Sequence, residues 1–281
     1  MLNRISQLTK IELMNSEIET HSLDYTYDDY NKHQLLEISP RQIIQNSIQT
    51  KRGNKFLYNP VSSAWEAIDY KGYAIASKLN ENKYNEQSVR SIYNIQSRLL
   101  ESLDNELFFC TLPEDSFHQT IANIFSAQRL EKYIIKTGKE AEYPEKVAEV
   151  FKVLEERTVE SLKMNLIGLS IFDTSIGILG LFENELDYNR IIHFRSQFYG
   201  HELMKQMDLK MTRPFIGHIT LGYIENKLNE FESRLLANCV NEINETLMHK
   251  PFSVNIELTG LRKYENLAAF SREPDFPQHY L

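Results

Sequence analysis

Residues 118–124 read His118-Gln119-Thr120-Ile121-Ala122-Asn123-Ile124, and residues 218–224 read His218-Ile219-Thr220-Leu221-Gly222-Tyr223-Ile224. Each is H-x-T, then an aliphatic residue, then Ile six places after the His. Each copy lies in a stretch rich in β-branched and aromatic residues, FHQTIANIF (117–125) and FIGHITLGYI (215–224), which predicts a strand. A pattern that recurs one hundred positions later predicts two related lobes.

Working outward, strand and helix signals interleave without a strict βαβα repeat. Strands are expected over 72–79, 107–112, 165–172, 176–182 and 252–261, with Asp173-Thr174-Ser175 turning a hairpin. Helices are expected over 86–103, 145–162, 185–207 with a break at Gly200, and 226–247. This order, with the repeated motif, predicts an α+β fold in two related lobes with antiparallel rather than doubly wound parallel sheet. Residues 51–281 would make up this bilobed unit. Residues 1–50 read as an N-terminal extension, solvated or loosely docked. Within it, 21–33 (HSLDYTYDDYNKH) mixes acids and tyrosines without a clean period. Lys51, Arg52 and Lys55 around Gly53 read as an exposed basic loop, and Trp65, in SSAWEAIDY (62–70), is expected in the core.

Composition narrows the chemistry. The chain has 281 residues, 42% of them hydrophobic, enough for a sizeable core. Its formal net charge of −8 argues against a partner of extended duplex nucleic acid, because that binding is largely cationic. A site that grips a single phosphate remains open. Neither a P-loop nor a G-x-G-x-x-G occurs. Cys110 and Cys239 cannot form a disulfide framework and read as buried thiols. Residues 1–13 lack the apolar core of a signal peptide, and the longest apolar run, 176–182, is far too short to span a bilayer. A cytoplasmic protein without a membrane partner, and a monomer, is expected.

Residues i and i+2 of a strand share a face, so each motif offers an imidazole beside a hydroxyl. Two such strands brought together would surround one small volume with two histidines and two threonines. One imidazole can take a proton from an attacking oxygen while the other gives one to the leaving oxygen. The hydroxyls can donate to the non-bridging oxygens of a phosphate. This is a design for cleaving a phosphodiester by general acid–base catalysis. Arg213, just before the second strand, is a further candidate phosphate contact, although it, Arg129, Arg190 and Arg195 each read singly as surface charge. Parity turns Phe117, Phe215 and Tyr223 away from the His face, towards the core. His193 and His201, eight apart, lack the i, i+4 spacing of a metal pair and read as surface or cap residues.

Paired H-x-T motifs on strands, the second within GHITLGYI and followed by a long helix, resemble the two-histidine phosphoesterase superfamily over about residues 55–270. The resemblance implies a fold of two α+β lobes around a concave antiparallel sheet. It implies that His118 and His218 are the catalytic pair and that Thr120 and Thr220 hold the phosphate. It also implies action on 2′,3′-cyclic phosphates, RNA 3′ ends or related cyclic or 2′,5′-linked small nucleotides, with no metal or other cofactor in the chemical step. The hundred-residue spacing is longer than in compact members, which points to an altered substrate pocket. The alternative is a non-catalytic nucleotide or RNA-end binding module on the same scaffold.

Overall fold

The computed structural model describes residues 23–103, 108–154 and 161–281. They form an α+β fold in which curled antiparallel sheets make a half-barrel. The elements run α1 (Tyr27–Glu37), α2 (Pro40–Gln49), β1 (Phe56–Asn59), β2 (Ala64–Ala67), β3 (Gly72–Lys78), α3 (Glu86–Leu103), β4 (Phe109–Thr111), β5 (His118–Ser126) and α4 (Glu142–Val153). They continue β6 (Leu162–Ile171), β7 (Ser175–Phe182), α5 (Glu185–Gly200), α6 (Glu202–Gln206), β8 (His218–Ile224), α7 (Glu230–His249), β9 (Phe252–Ile256), β10 (Leu258–Asn266), β11 (Ala269–Ser271) and β12 (Gln278–Tyr280). Among the described residues no helix is long and apolar enough to cross a membrane.

One five-stranded sheet has the order β11-β10-β3-β5, with β12 also on β10; the other has the order β4-β8-β7-β6-β9. The first histidine motif opens β5 and the second opens β8. The chain does not simply fill one sheet and then the other. The β4 strand precedes the first motif yet pairs with β8, and β10 follows the second motif yet pairs with β3. The expected strand over 252–261 is accordingly two strands in two sheets, β9 on β6 and β10 on β3. Period-2 alternation continues through both, so sequence alone does not reveal the handover.

The helix over 86–103 forms as its apolar spacing dictates, burying Val89, Ile92, Ile95, Leu99 and Leu103. The predicted break near Gly200 divides α5 from α6, and His201 caps α6 by accepting from the Leu203 N–H through Nδ1 at 3.2 Å. The expected helix over 145–162 covers 142–153 instead; Leu162 already begins β6, and residues 155–160, like residue 107 of the expected 107–112 strand, lie outside the described residues. Residues 56–67, where no strand is expected, form the β1–β2 hairpin. Its Trp65 is half-buried against Tyr58 and Phe108 rather than in the main core.

The segment read as a loose extension is, from residue 23 onwards, part of the body. Tyr30 is fully buried, and its hydroxyl donates to the Gly180 carbonyl at 2.6 Å. Gln34 donates from Nε2 to Gly180 O at 2.9 Å and Gly217 O at 2.8 Å, pinning β7 to the residue before His218. Gly217 is glycine for a local reason: a Cβ there would lie 2.4 Å from the Tyr30 hydroxyl. Asp24 accepts from Arg195 Nε at 2.9 Å and from the Phe215 N–H at 2.5 Å. Arg195, read as a surface charge, is buried with it. The polar groups buried here carry the docking, which is why a search for apolar periodicity passes over α1.

The side chains of Arg195 and Asp24 are 5% and 0% exposed, so removing the carboxylate strands a buried cation. Asp24→Ala is expected to lower the unfolding free energy by about 3–5 kcal/mol, read from urea denaturation. A change below about 1 kcal/mol would mean that the segment docks without depending on this pair.

Candidate active site

Both motif strands carry the same irregularity. In β5, Thr120 pairs with Ala76 and Ala122 with Ile75, so Ile121 is an extra residue. In β8, Thr220 pairs with Gly177 and Gly222 with Ile176, so Leu221 is extra. These are β-bulges at the same place in both motifs, three residues after the His. The carbonyl of each bulge residue accepts from a buried side chain, and Leu221 O accepts from the Leu112 N–H as well, at 2.9 Å. Arg195 Nη1 donates to Ile121 O at 2.6 Å, and Gln96 Nε2 donates to Leu221 O at 2.7 Å. The extra residue also resets side-chain parity. The fifth residue after each His, Asn123 and Tyr223, therefore returns to the His–Thr face and lines the same cleft. Tyr223, expected to point into the core, is thus corrected, whereas Phe117 and Phe215 are buried as expected.

The cleft, of about 490 Å³, takes its lining from both sheets and contains His118, Thr120, His218 and Thr220 together. A side recess of about 300 Å³ shares both threonines and His218. Gln119, fully buried between the two strands, joins their starts: its Oε1 accepts from the His218 N–H at 2.7 Å, and its Nε2 donates to Ile216 O at 3.3 Å and Thr120 O at 2.8 Å.

The imidazoles are held alike. His118 Nδ1 donates to Ser116 O at 2.7 Å, and His218 Nδ1 donates to Ile216 O at 3.0 Å, in each case the carbonyl two residues upstream. A carbonyl only accepts, so Nδ1 carries the hydrogen and Nε2 is left as the reactive nitrogen of the neutral ring. An aromatic ring packs beside each, Phe270 at 4.1 Å from His118 and Phe172 at 5.3 Å from His218, centroid to centroid. Burial pushes both pKa values down to about 4. His218, Lys78 and Arg262 push His118 further, and Arg213 does the same to His218.

The charged side chains of the main cleft have one sign, whereas Asp173 lines the side recess. Lys55, Arg129, Lys210 and Arg213 line the cleft, and no Asp or Glu is among its lining residues. In a chain of net charge −8 this concentrates positive potential where the histidines and hydroxyls converge. Arg213 lines the cleft beside Asn123: with the Asn123 amide turned oxygen-first, Asn123 accepts from its Nε at 3.0 Å and its Nη2 at 2.5 Å. Arg190 instead bonds the Leu281 carbonyl. Lys55 corrects the reading of an exposed loop: Glu225, buried just after β8, accepts from the Lys55 N–H at 2.8 Å, and the Lys55 ammonium sits 3.5 Å above the Tyr70 ring centre. Lys51, by contrast, is exposed and pairs with Asp173 at 3.0 Å. Lys55 and Lys210 lie in no motif; only their position around the bulged strands distinguishes them. Among the described residues no group of three or more His, Cys, Asp or Glu side chains could hold a metal ion. Cys110 and Cys239 are buried free thiols.

Comparison with known proteins extends only to fold. No family model matches the chain, and no curated protein matches it. Among solved structures it resembles a conserved protein of unknown function from Agrobacterium tumefaciens, with 16% identity over 79% of this chain and 90% of that one and a TM-score of 0.55. That likeness establishes a shared fold. A protein of Thermus thermophilus (12% identity, 74% and 94% coverage, TM-score 0.41) and a phosphoesterase (12%, 75% and 93%, 0.34) superpose too loosely to add to it.

The lowered histidine values have a consequence for stability. An imidazole that titrates near 4 when folded and near 6.5 when unfolded leaves the unfolded chain binding more protons in that window. Its effect is absent above about pH 6.5, destabilises progressively as pH falls, and levels off below about pH 4. In His118→Gln/His218→Gln the loss of unfolding free energy between pH 7 and pH 4 is expected to be smaller than in the native protein. Equal losses in the two proteins would show that the imidazoles titrate normally.

Proposed function

We propose that this protein is a two-histidine phosphoesterase that hydrolyses a phosphodiester, with a 2′,3′-cyclic phosphate on a nucleotide or RNA end as the fitting substrate. The observation that carries this reading is the matched pair of imidazoles. Each is tied through Nδ1 to the carbonyl two residues upstream, each stands beside a threonine hydroxyl, and both line a cleft whose charged side chains are cationic. A phosphate anion suits that lining, and its charge raises the depressed imidazole pKa values, so one ring can hold a proton while the other stays neutral. The neutral ring takes the proton of a water whose oxygen attacks phosphorus. The protonated ring gives its proton to the ribose oxygen as the P–O bond breaks, and the ring opens to a phosphomonoester. Thr120, Thr220 and Arg213 donate to the non-bridging oxygens, where charge is held in the transition state. Direction of opening sets which histidine serves as base and which as acid.

The test is hydrolysis of nucleoside 2′,3′-cyclic phosphates in the presence of EDTA. Native turnover is expected to survive the chelator, and His118→Ala and His218→Ala should each lose roughly 10²–10⁴-fold in kcat while remaining folded. The pH profile should be bell-shaped, and its limbs in kcat should lie at higher pH than in kcat/KM, because bound phosphate lifts the imidazoles. A folded protein that binds the cyclic nucleotide without product would instead support the non-catalytic binding module. Full activity in either histidine variant would remove the two-histidine mechanism.

A further inference from the structure

Among the described residues Arg262 is the largest fully buried side chain, and the sheet register puts it on the histidine face. Strand β10 runs against β3 without a slip. Arg262 stands opposite Ala74, Gly260 opposite Ala76, and Tyr264, which lines the cleft, opposite Gly72. The same rows continue onto β5, where Ala74 meets Asn123, Ala76 meets Thr120 and Lys78 meets His118. Arg262 therefore shares a face with Asn123, Thr120 and His118.

It is hidden on that face because two rings close over it. In the strand order β11-β10-β3-β5, Phe270 from β11 and His118 from β5 bring their ring centres to 4.1 Å, across the two strands between them. Those strands present Ala74, Ala76, Gly260 and Arg262 underneath, and only Arg262 has a long side chain. Its head is drawn towards the His118 row. Nη1 and Nη2 donate to the Glu81 carboxylate at 2.8 and 2.6 Å, and Glu81 belongs to the single turn Leu79–Glu81 that follows Lys78. The pair is unequal: the Arg262 side chain is 1% exposed and that of Glu81 is 38% exposed. The buried Nε of Arg262 has no hydrogen-bond partner among the described residues. A carboxylate partly in water offsets a buried guanidinium incompletely, so positive charge remains beneath the imidazole.

Resting on the phosphodiester reading of the His–Thr centre, we infer that Arg262 is a positioning residue for His118 and that Glu81 sets its strength. The buried guanidinium keeps the ring in its neutral form, with Nδ1–H on the Ser116 carbonyl and Nε2 open, until a phosphate anion occupies the cleft. Proton uptake by His118 is thereby tied to substrate binding, because the anion arrives on one side of the ring while the cation stays on the other. Lys78 from β3 and His218 from β8 are the other charged groups that act on His118, and both oppose its protonation as Arg262 does. Arg262 differs from them in carrying its own carboxylate, so the two halves of one ion pair push His118 in opposite directions.

The test reads the protonation of His118 directly, by NMR of the ¹³C-histidine-labelled intact protein near pH 5 without substrate. His218, on which Arg213 acts instead, is the internal reference. Arg262→Gln is expected to raise the imidazolium-to-imidazole ratio of His118 about threefold or more, the equivalent of about half a pH unit. Glu81→Gln should lower it by a similar factor. Arg262→Lys keeps the charge and should stay close to the native ratio, and the ratio at His218 should hold in all three variants. In the kcat/KM profile for a nucleoside 2′,3′-cyclic phosphate, one limb should move to higher pH in Arg262→Gln and to lower pH in Glu81→Gln. Glu81 is partly exposed, so its variant carries the test even where Arg262→Gln does not fold. No change, a change in the same direction in both variants, or equal changes at both histidines overturns the inference, since a loosened fold has no reason to oppose the two. Native hydrolysis with unaltered ratios would remove the role of Arg262 and leave the two-histidine reaction intact. Opposed ratios in a protein that hydrolyses nothing would do the reverse.

Discussion

Each motif strand bulges three residues after its histidine, and the fold is organised around bracing those two bulges. An unmet acceptor inside the core costs about 1–3 kcal/mol, and the carbonyls of both bulge residues, Ile121 and Leu221, are bonded by buried side chains. Gln96 reaches Leu221 O from α3, beside the Leu112 N–H that donates to the same oxygen. Arg195 meets the other from α5, and a buried guanidinium in turn requires a carboxylate, which Asp24 supplies. The N-terminal segment is therefore coupled to the first motif through a charge–dipole relay, and to the second through Gln34 and Tyr30 at Gly217 and Gly180. In return, the bulges put Asn123 and Tyr223 on the face that His and Thr already occupy, so each strand presents three cleft-facing side chains where regular pleating would not align them.

The same arrangement explains how strands from separate sheets hold two histidines in register. Gln119 stands in for the ladder that β5 and β8 do not share, accepting from one backbone N–H and donating to carbonyls on both sides of the join. The counterpart position in the second motif, Ile219, is simply buried. The pseudo-symmetry is thus close at the functional side chains and broken one residue away, where one strand must reach across and the other must be reached. Electrostatics follow the same economy. The acidic surplus of the chain lies elsewhere, and the cleft keeps its cations without an internal carboxylate to neutralise them.

Much of this was legible in the sequence, for stated reasons. The 86–103 helix, the β6–β7 hairpin and both motif strands follow from apolar spacing and β-branched content. The sharing of a face by His118 and Thr120, and by His218 and Thr220, follows from strand parity. Parity then fails at Tyr223, because a bulge is a property of pairing and no residue at Leu221 announces it. The helix over 27–37 escapes detection because the groups it buries are Tyr30 and Gln34, which bind carbonyls, whereas periodicity detects apolar stripes. Arg195 and Lys55 resemble any surface cation until the fold places one under a bulge and the other over a ring.

The docking of the N-terminal segment also constrains the order of assembly. Tyr30 and Gln34 bond to carbonyls 150 and 183 residues downstream, and Asp24 to an arginine 171 residues away. Contacts of such separation carry a loop-closure cost before they return any stabilisation, and they slow folding. On the ribosome residues 24–34 therefore wait, undocked, until Gly180 and Arg195 have been synthesised, and Gln34 gains its second partner only with Gly217. The partners that brace the first histidine strand, Arg195 and Asp24, are thus both made before the second histidine strand leaves the ribosome.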